Sequence, residues 1–357
     1  MLPDGRSVRT WFLTNSQGGC VRISDLGATL VSWIAPDKHG MGGDILLGHD
    51  TPEEYLKSGA YMGALVGRWA NRIAGAHFTL DGVGYALTPN EGANLLHGGP
   101  GGFHQRLWKA EQDRDSVVMR LESPDGDGGF PGNLQVEVRY TLSDDHALTI
   151  EYAAQTDRPT PVNLTSHPYF NLSGQPGRDI LQHRLMIDSG AYFEIDDELI
   201  PQRRESVSGS PFDFREDAVI GSRLRVPHPQ FELAQGFDHC YVLDGEASGA
   251  EKAGANGTPK VRGVATVVEP ESGRVLSVET DQRGLQFYSG NRLEGLRGRG
   301  GLAYRRHSGL CLEAGGFPDQ INMPDSPATI VTGGKPYRQV TVYRAGVAKP
   351  GSEAGGQ

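Results

Sequence analysis

Two neighbouring segments of strictly alternating apolar and polar residues restrict the fold of this chain more than any other feature. Residues 136–142 place Val, Val, Tyr and Leu at every second position, and residues 148–152 repeat the pattern with Leu, Ile and Tyr. Such alternation predicts two antiparallel strands with one face on the core and one face in water. Residues 143–146 (Ser-Asp-Asp-His) have the composition of a turn, so the two strands should form a β-hairpin.

The rest of the chain predicts many short strands and little helix. Its 50 glycines and 22 prolines make up about a fifth of 357 residues, against about 12% in average proteins. Only one helix start is clear, where Asp50 or Thr51 can cap, Pro52 suits the first turn and Gly59 can end it. Because a parallel α/β fold needs helices between its strands, we predict an all-β fold, a large antiparallel β-sandwich. Further short strands are predicted at 21–23, 29–34, 117–121, 264–268, 275–278, 285–288 and 340–343.

No linker divides the chain, so we expect a single domain over residues 1–345. Residues 244–259 are rich in Gly, Ala, Glu and Ser, which predicts an exposed loop between strands. Residues 346–357 combine Gly, Pro, Ser and Ala with few apolar groups, which predicts a disordered C-terminal tail.

Charge and cysteine usage restrict the partners and the compartment. A net charge of −10 argues against a nucleic acid or an anionic membrane as partner. The three cysteines, Cys20, Cys240 and Cys311, are odd in number and far apart, which indicates buried free thiols in a reduced compartment. The first residues contain no apolar signal segment, and no run of eighteen apolar residues occurs. We therefore predict a soluble cytoplasmic protein.

Residues 161–172 (Pro-Val-Asn-Leu-Thr-Ser-His-Pro-Tyr-Phe-Asn-Leu) contain the side chains best suited to binding or catalysis. Its prolines disfavour a helix, and its hydroxyls and amides make it too polar for a plain core strand. Two aromatic rings, two amides and His167 suit a rigid pocket of sugar size, with one group that titrates near neutral pH. The alternative is a buried histidine that only satisfies backbone groups.

Four other segments share this polarity, and each candidate residue in them also has a structural explanation. Arg72 could pair with a surface acid, His97 could cap a turn, and Asp238 could sit in an Asx-turn. Glu313 follows an apolar Leu-Cys-Leu run, and a buried Glu is rare unless it is paired or functional. Together these residues suit one site, provided that the fold brings them together.

Seven motifs occur along the chain in a recognisable order: Asn-Arg-Ile at 71–73, Leu-His-Gly-Gly at 96–99, residues 165–172, Phe-Asp-His at 237–239, Gln-Phe-Tyr-Ser-Gly-Asn at 286–291, Leu-Glu at 312–313 and Phe-Pro-Asp at 317–319. This order resembles that of the aldose 1-epimerases, the galactose mutarotases, from about Thr14 to Tyr343. The segment 165–172 is the most specific piece. The resemblance implies an antiparallel β-supersandwich that interconverts the α and β anomers of a free aldose without a cofactor.

The resemblance also implies roles for individual residues. The family's base aligns with Glu313 and its acid with His167, while its other sugar-contacting positions align with Asn71, Arg72, His97, Tyr169, Asp238 and Gln286.

Anomer interconversion takes a proton from the anomeric hydroxyl and gives one to the ring oxygen, so it needs two positioned proton carriers. We expect Asp238 and Glu313 to hold His167 protonated, and Arg72 and His97 to stabilise charge on a sugar oxygen.

The sequence departs from the family pattern beside the proposed base. Ala314, Gly315 and Gly316 stand where the family often has Thr-Gln-His, Arg283 where Pro is common, and Cys240 where Asn is common. The proposed acid and base are intact, so these departures bear on sugar choice and rate rather than on reaction type.

Three other readings stay open at this point. Two histidines and a carboxylate can bind iron or zinc, but His97, His167 and Glu313 are far apart in the sequence and include no close pair; we predict no metal. A sugar-binding module without catalysis would use the same aromatic and amide positions. An epimerase for a phosphorylated hexose would need cations converging on the phosphate. The cations available to such a phosphate site are Arg283, Arg292, Arg297 and Arg299.

We expect a cofactor-independent epimerase of glucose or galactose, as a monomer or homodimer.

Overall fold

The computed structural model of this protein describes residues 2–175, 177–243 and 260–348. The predicted loop at 244–259 and residues 349–357 of the predicted tail lie outside these residues. Within them strands dominate and helices are few and short, as the sequence predicts.

Strands follow one another along the chain with short connections. The first thirteen are β1 (Thr10–Thr14), β2 (Cys20–Ser24), β3 (Thr29–Pro36), β4 (Gly42–Asp44), β5 (Leu65–Val66), β6 (Arg72–Ile73), β7 (His77–Leu80), β8 (Val83–Ala86), β9 (Leu95–Leu96), β10 (Lys109–Asp113), β11 (Ser116–Ser123), β12 (Leu134–Leu142) and β13 (Ala147–Thr156).

The second half of the described chain continues the same pattern. Its strands are β14 (Thr160–Pro161), β15 (Thr165–Ser166), β16 (Arg184–Ile187), β17 (Ala191–Ile195), β18 (Pro201–Ser206), β19 (Ala218–Val219), β20 (Asp238–Val242), β21 (Arg262–Val268), β22 (Arg274–Thr280), β23 (Gly284–Tyr288), β24 (Cys311–Gly315), β25 (Ile330–Val331) and β26 (Tyr337–Val347). Each of the seven shorter runs predicted from the sequence lies inside one of these strands.

The helices are α1 (Pro52–Lys57), α2 (Ile220–Leu224) and α3 (Pro229–Ala234), with 3₁₀ turns at Ala74–Ala76, Phe103–Gln105, Asp127–Gly129, Arg299–Gly301, Gln320–Asn322 and Ser326–Thr329. The predicted helix is α1, and Thr51 caps it rather than Asp50. The Thr51 hydroxyl accepts from the Glu54 amide while the Glu54 carboxylate accepts from the Thr51 amide, a capping box. α1 ends at Lys57, two residues before the predicted Gly59. No helix in the described ranges has the length and apolar character needed to cross a membrane.

The largest sheet has nine strands in the order β10-β11-β12-β13-β26-β22-β21-β16-β19. The predicted hairpin is its β12–β13 pair, antiparallel from Leu134 opposite Thr156 to Leu142 opposite Leu148. Its alternating apolar residues are buried, because they face the core. β26 lies in the middle, paired with β13 and β22, and continues to Val347. β26 thus extends two residues past Ala345, after which we predicted that the disordered tail begins.

A five-stranded sheet, β18-β17-β20-β23-β24, packs against the large one and completes the predicted sandwich. Both sheets contribute to one buried apolar cluster, with Ile150 and Leu276 from the large sheet and Leu285 and Leu312 from the smaller one. The Tyr343 hydroxyl of β26 also donates a 2.7 Å hydrogen bond to the Leu312 carbonyl of β24. The remaining described strands form one four-stranded sheet, β1-β2-β3-β4, and the two-stranded pairs β5–β15, β6–β9, β7–β8 and β14–β25.

The cysteines follow the prediction except for one. Cys20 and Cys311 are free thiols, and Cys240 and Cys311 are buried, but Cys20 lies on β2 and is partly exposed.

Candidate active site

One cleft of about 280 Å³ collects side chains from all the polar segments that the sequence analysis singled out. Its volume is at the small end of the range for ligand sites. Seven of the eight predicted site residues line it, and Gln286 instead lines an adjoining smaller cavity. The polar lining consists of Tyr61, Asn71, Arg72, Glu91, His97, His167, Tyr169, Asp238, Tyr288, Arg292 and Glu313.

Short strand pairs explain why distant segments meet in the cleft. β6 pairs with β9, with Arg72 opposite Leu96, so the Asn-Arg and His-Gly-Gly segments become neighbours. β15 pairs with β5 and delivers the loop that carries His167. In the smaller sheet Asp238 lies at the start of β20, and Gln286 of β23 lies opposite Glu313 of β24.

The centre of the cleft is a carboxyl group facing an imidazole. The Nε2 atom of His167 lies 3.5 Å from the Oε1 atom of Glu313. Glu313 is 6% exposed and His167 is 5% exposed. The Nδ1 atom of His167 lies 3.5 Å from the buried Cys311 thiol, and its ring stacks on Tyr169 with centroids 5.2 Å apart. These contacts fix the imidazole in one orientation.

Burial decides where protons reside in this pair. Burial, with a smaller contribution from Asp238, raises the pKa of Glu313 well above its usual range, and Arg72 opposes this only in part. Burial lowers the pKa of His167 to about 4. We expected the carboxylates to keep His167 protonated, and this is wrong for the free enzyme because the desolvation of the buried imidazolium dominates. In the free enzyme burial therefore favours the uncharged form of both groups.

His97 is held as a neutral hydrogen-bond donor. Its Nδ1 atom accepts a 3.2 Å hydrogen bond from the Asn71 backbone amide. Since a neutral imidazole carries one proton, that proton lies on Nε2. Burial and the neighbouring His167 lower the pKa of His97 well below its usual value, which keeps the ring neutral. His97 thus has a structural contact with a backbone amide and also lines the cleft.

The fold brings His97, His167 and Glu313 close enough to raise the metal hypothesis again, with one ligand atom of each within 4.8 Å of the others. Their separation in sequence was therefore no argument against a metal. The tautomer of His97 is a stronger argument against a metal site. A metal ion needs a lone pair on the ligating nitrogen, and the lone pair of His97 is engaged by the Asn71 amide. We interpret the cluster as an acid–base site.

Arg72 is held by a carboxylate that the sequence analysis missed. Its Nε and Nη2 atoms donate to the two oxygens of Glu91 over 2.6 Å and 3.0 Å, a bidentate ion pair at the wall of the cleft. The simple expectation that Arg72 pairs with an acid is correct, but Arg72 is buried and the pair lies in the site. On the facing wall Gln286 Nε2 donates a 2.7 Å hydrogen bond to Asp238 Oδ1.

We predict that Glu91→Gln lowers kcat/KM about tenfold, mainly through a higher KM. The amide keeps one hydrogen bond to Arg72 but leaves a buried guanidinium without its charge partner, so Arg72 is less well positioned. Steady-state kinetics test this, with Glu122→Gln as the matched control because that side chain is 75% exposed on β11. A KM equal to that of the control variant would contradict the role of Glu91.

Three residues of the cleft wall have strained backbone conformations. Tyr61, Asn71 and His97 all have left-handed backbone conformations, with φ of 53°, 63° and 51°. Such conformations are unfavourable for residues other than glycine and persist where surrounding contacts enforce them. Tyr61, which the sequence analysis also missed, packs its ring against His97 at 4.6 Å between centroids.

The arginines required by a phosphorylated substrate do not converge on the cleft. Arg283 pairs with Asp325, Arg297 with Glu54 and Arg299 with Asp44. Arg292 does line the cleft, but its side chain is 60% exposed and lies 3.5 Å from the Glu91 carboxylate. A phosphate site therefore gains no support from these four residues.

The fold and the cleft together define an antiparallel β-sandwich protein built for acid–base chemistry on a small polar ligand. Comparisons with known proteins make the assignment specific: residues 9–344 match the Aldose 1-epimerase family. The chain is 40% identical to galactose mutarotase from Bos taurus, over 97% of both proteins. It is 39% identical to aldose 1-epimerase from Escherichia coli (strain K12), over 96% of this chain and 97% of the relative. The chain therefore belongs to the aldose 1-epimerase family.

Solved structures agree with this assignment. The GalM/aldose epimerase homologue from C. elegans superposes with a TM-score of 0.86 at 29% identity, covering 96% of this chain and all of that one. Galactose 1-epimerase from Lactobacillus acidophilus NCFM gives a TM-score of 0.82 at 25% identity, covering 97% and 96%. The predicted family and sandwich fold are confirmed.

Proposed function

We propose that this protein interconverts the α and β anomers of a free aldohexose such as glucose or galactose, with Glu313 as base and His167 as acid. The observation that carries the proposal is the buried carboxyl–imidazole pair, 3.5 Å apart, at the centre of a sugar-sized cleft. Membership of the aldose 1-epimerase family supports the same reaction.

The reaction needs one proton shared by the pair. Ring opening begins when Glu313, as carboxylate, takes the proton of the anomeric hydroxyl and His167, as imidazolium, gives its proton to the ring oxygen. The bond between C1 and the ring oxygen breaks, and C1 becomes an aldehyde carbon. After rotation about C1–C2 the steps reverse on the other face of the carbonyl, and both groups recover their original protonation.

Because burial favours the uncharged form of both groups, a proton that rests on Glu313 has to pass to His167 before ring opening. This transfer keeps the net charge of the pair unchanged, and the resulting ions attract each other at short range. Arg72 favours the carboxylate form of Glu313. A sugar hydroxyl that donates to Glu313 favours it further.

The other cleft residues suit binding and charge stabilisation. Arg72 and the Nε2–H group of His97 are donors for a sugar oxygen that gains negative charge. Tyr169 offers an aromatic face, and Asn71 and Asp238 offer groups that recognise hydroxyls. Gln286 acts on the sugar through Asp238, whose carboxylate it contacts.

We predict a bell-shaped dependence of kcat/KM on pH. Activity falls as pH drops through about 4, because His167 then takes a second proton while Glu313 stays protonated. It falls again at high pH, above the raised pKa of Glu313, because the pair then has no proton to donate. Initial rates at low sugar concentration, taken from below pH 4 to alkaline pH, measure the acid limb and the alkaline limb of this profile. An acid limb near pH 6.5, the ordinary pKa of histidine, would contradict the burial effect on His167.

Polarimetry tests the reaction itself. Freshly dissolved α-D-glucose and α-D-galactose should drift to their usual final rotations faster with the enzyme than without it, and the ratio of the two rates gives the sugar preference. Bound sugar without acceleration would identify a non-catalytic sugar-binding sandwich. A different final rotation would identify a different epimerisation.

We further infer a cytoplasmic enzyme, monomeric or homodimeric, whose partner is a monosaccharide rather than a nucleic acid or a membrane. The free thiols of Cys20 and Cys311 and the net charge of −10 support this inference.

A further inference from the structure

A small cavity, which we call the alcove, adjoins the cleft at the proposed base. Its volume is about 20 Å³. Asn71 and Glu313 line both the cleft and the alcove, while His167 lines only the cleft. Glu313 therefore borders both spaces. The rest of its wall includes Asn163, Gln286, Gly315 and Gly316.

The alcove exists because two glycines follow the base. Gly315 is two residues beyond Glu313 in β24, so the two positions share one face of the strand. A Cβ atom on Gly315 would lie 3.1 Å from Asn163 Oδ1, and one on Gly316 would lie 2.9 Å from Gln320 Oε1. Side chains at these positions would occupy the alcove, and the sequence here departs from the usual family pattern.

Two polar groups of the alcove wall have unused hydrogen-bonding capacity. Gln286 is 7% exposed, and its Oε1 atom is buried without a hydrogen-bond partner among the described residues. The described part of the chain supplies no hydrogen bond to the Glu313 carboxylate, whose His167 contact is at 3.5 Å. Gln286 Oε1 accepts hydrogen bonds, and the Glu313 carboxyl group becomes purely an acceptor once it is ionised, so the ionised site requires a donor. The Asn71 side chain uses its Oδ1 atom to accept from the Arg72 amide, which leaves its NH₂ group to donate.

We propose that the alcove binds one water molecule that donates hydrogen bonds to Gln286 Oε1 and to the Glu313 carboxylate, and so stabilises the carboxylate form of the base. The volume exceeds the 10–15 Å³ or so that one water needs, and a buried water typically has two to four polar partners. The catalytic consequence of this water rests on the proposed function, whereas its effect on the charge of Glu313 does not.

The test compares Gly315→Ala with Gly315→Ser. Alanine fills the alcove with a methyl group, whereas serine puts a hydroxyl donor in the place of the water. Gly263→Ala in β21 is the matched control, because a Cβ atom there meets nothing within 4 Å. Two quantities are measured: the titration of Glu313 by carboxyl ¹³C NMR in sugar-free protein, and kcat/KM against pH by polarimetry.

We expect Gly315→Ala to raise the midpoint of the Glu313 titration by about one pH unit, since a hydrogen bond to a charged group contributes about that much. Its alkaline limb should move up equally, and kcat/KM near neutral pH should fall about tenfold. Gly315→Ser should stay near the wild type in both measurements.

Equal titrations of Glu313 in the alanine, serine and wild-type proteins would overturn the proposed water. A difference that arises only when sugar is bound would also overturn it and would assign the donor to a sugar hydroxyl. If the wild type does not accelerate anomerisation, the proposed function fails, but the NMR titration still decides whether the alcove water exists.

Discussion

Replacing Glu313 with Gln is expected to lower the turnover number by about 10²–10⁴-fold while the sugar still binds. The amide has nearly the shape of the carboxyl group but cannot take the proton of the anomeric hydroxyl, and one positioned proton carrier contributes an acceleration of about this size. The variant should also fold normally, because a neutral amide resembles the uncharged carboxyl group that burial favours at this site.

Polarimetry gives the turnover number of this variant, and isothermal titration calorimetry gives its affinity for the sugar. Glu122→Gln, at an exposed site of β11, is the matched control and should behave as the wild type. Near-normal turnover in Glu313→Gln would remove Glu313 from the role of base. Loss of binding with unchanged turnover at saturation would make it a contact residue only.

His167→Asn is expected to lower the turnover number by a similar 10²–10⁴-fold, because asparagine cannot deliver a proton to the ring oxygen. The acid limb of the pH profile near 4, which we assign to His167, should also disappear. Asparagine lacks the ring that stacks on Tyr169, so we expect a loss of unfolding free energy of about 1–2 kcal/mol as well.

Kinetics at saturating sugar separate the catalytic effect of His167→Asn from weaker binding. Thermal unfolding of the same protein measures its stability, with His39→Asn at an exposed turn as the control. If only KM rises, His167 is a binding contact and another group is the acid. If the acid limb near 4 persists in His167→Asn, that limb belongs to another group.

The strands of this protein could be predicted well, because their signal is local. Alternation at 136–142 and 148–152 predicts β12, β13 and their turn, and the burial of one face explains why the alternation exists. The capping box at Thr51 and Glu54 likewise lies within four residues of chain. The order of strands in the sheets could not be predicted in this way, since β26 pairs with strands about 65 and 190 residues away along the chain.

The site was predictable in its residues but not in its environment. Polarity and the resemblance indicated His167 and Glu313, but their protonation depends on burial that only the folded chain creates. Glu91 was missed because an acid in a turn next to Gly92 reads as a surface residue. Its signal, a carboxylate to balance a buried Arg72, requires knowledge that β6 and β9 pair.

The position of β26 has a consequence for how the protein is made. Among the strands of the described residues this one comes last along the chain, yet it fills the centre of the nine-stranded sheet. From there Tyr343 and Gln339 bond to the carbonyls of Leu312 and Ala314, on either side of Glu313. During translation the two halves of the sheet therefore cannot be joined until β26 has left the ribosome. A nascent chain that ends before Tyr337 would lack both a continuous nine-stranded sheet and the hydrogen bonds that hold the strand of Glu313.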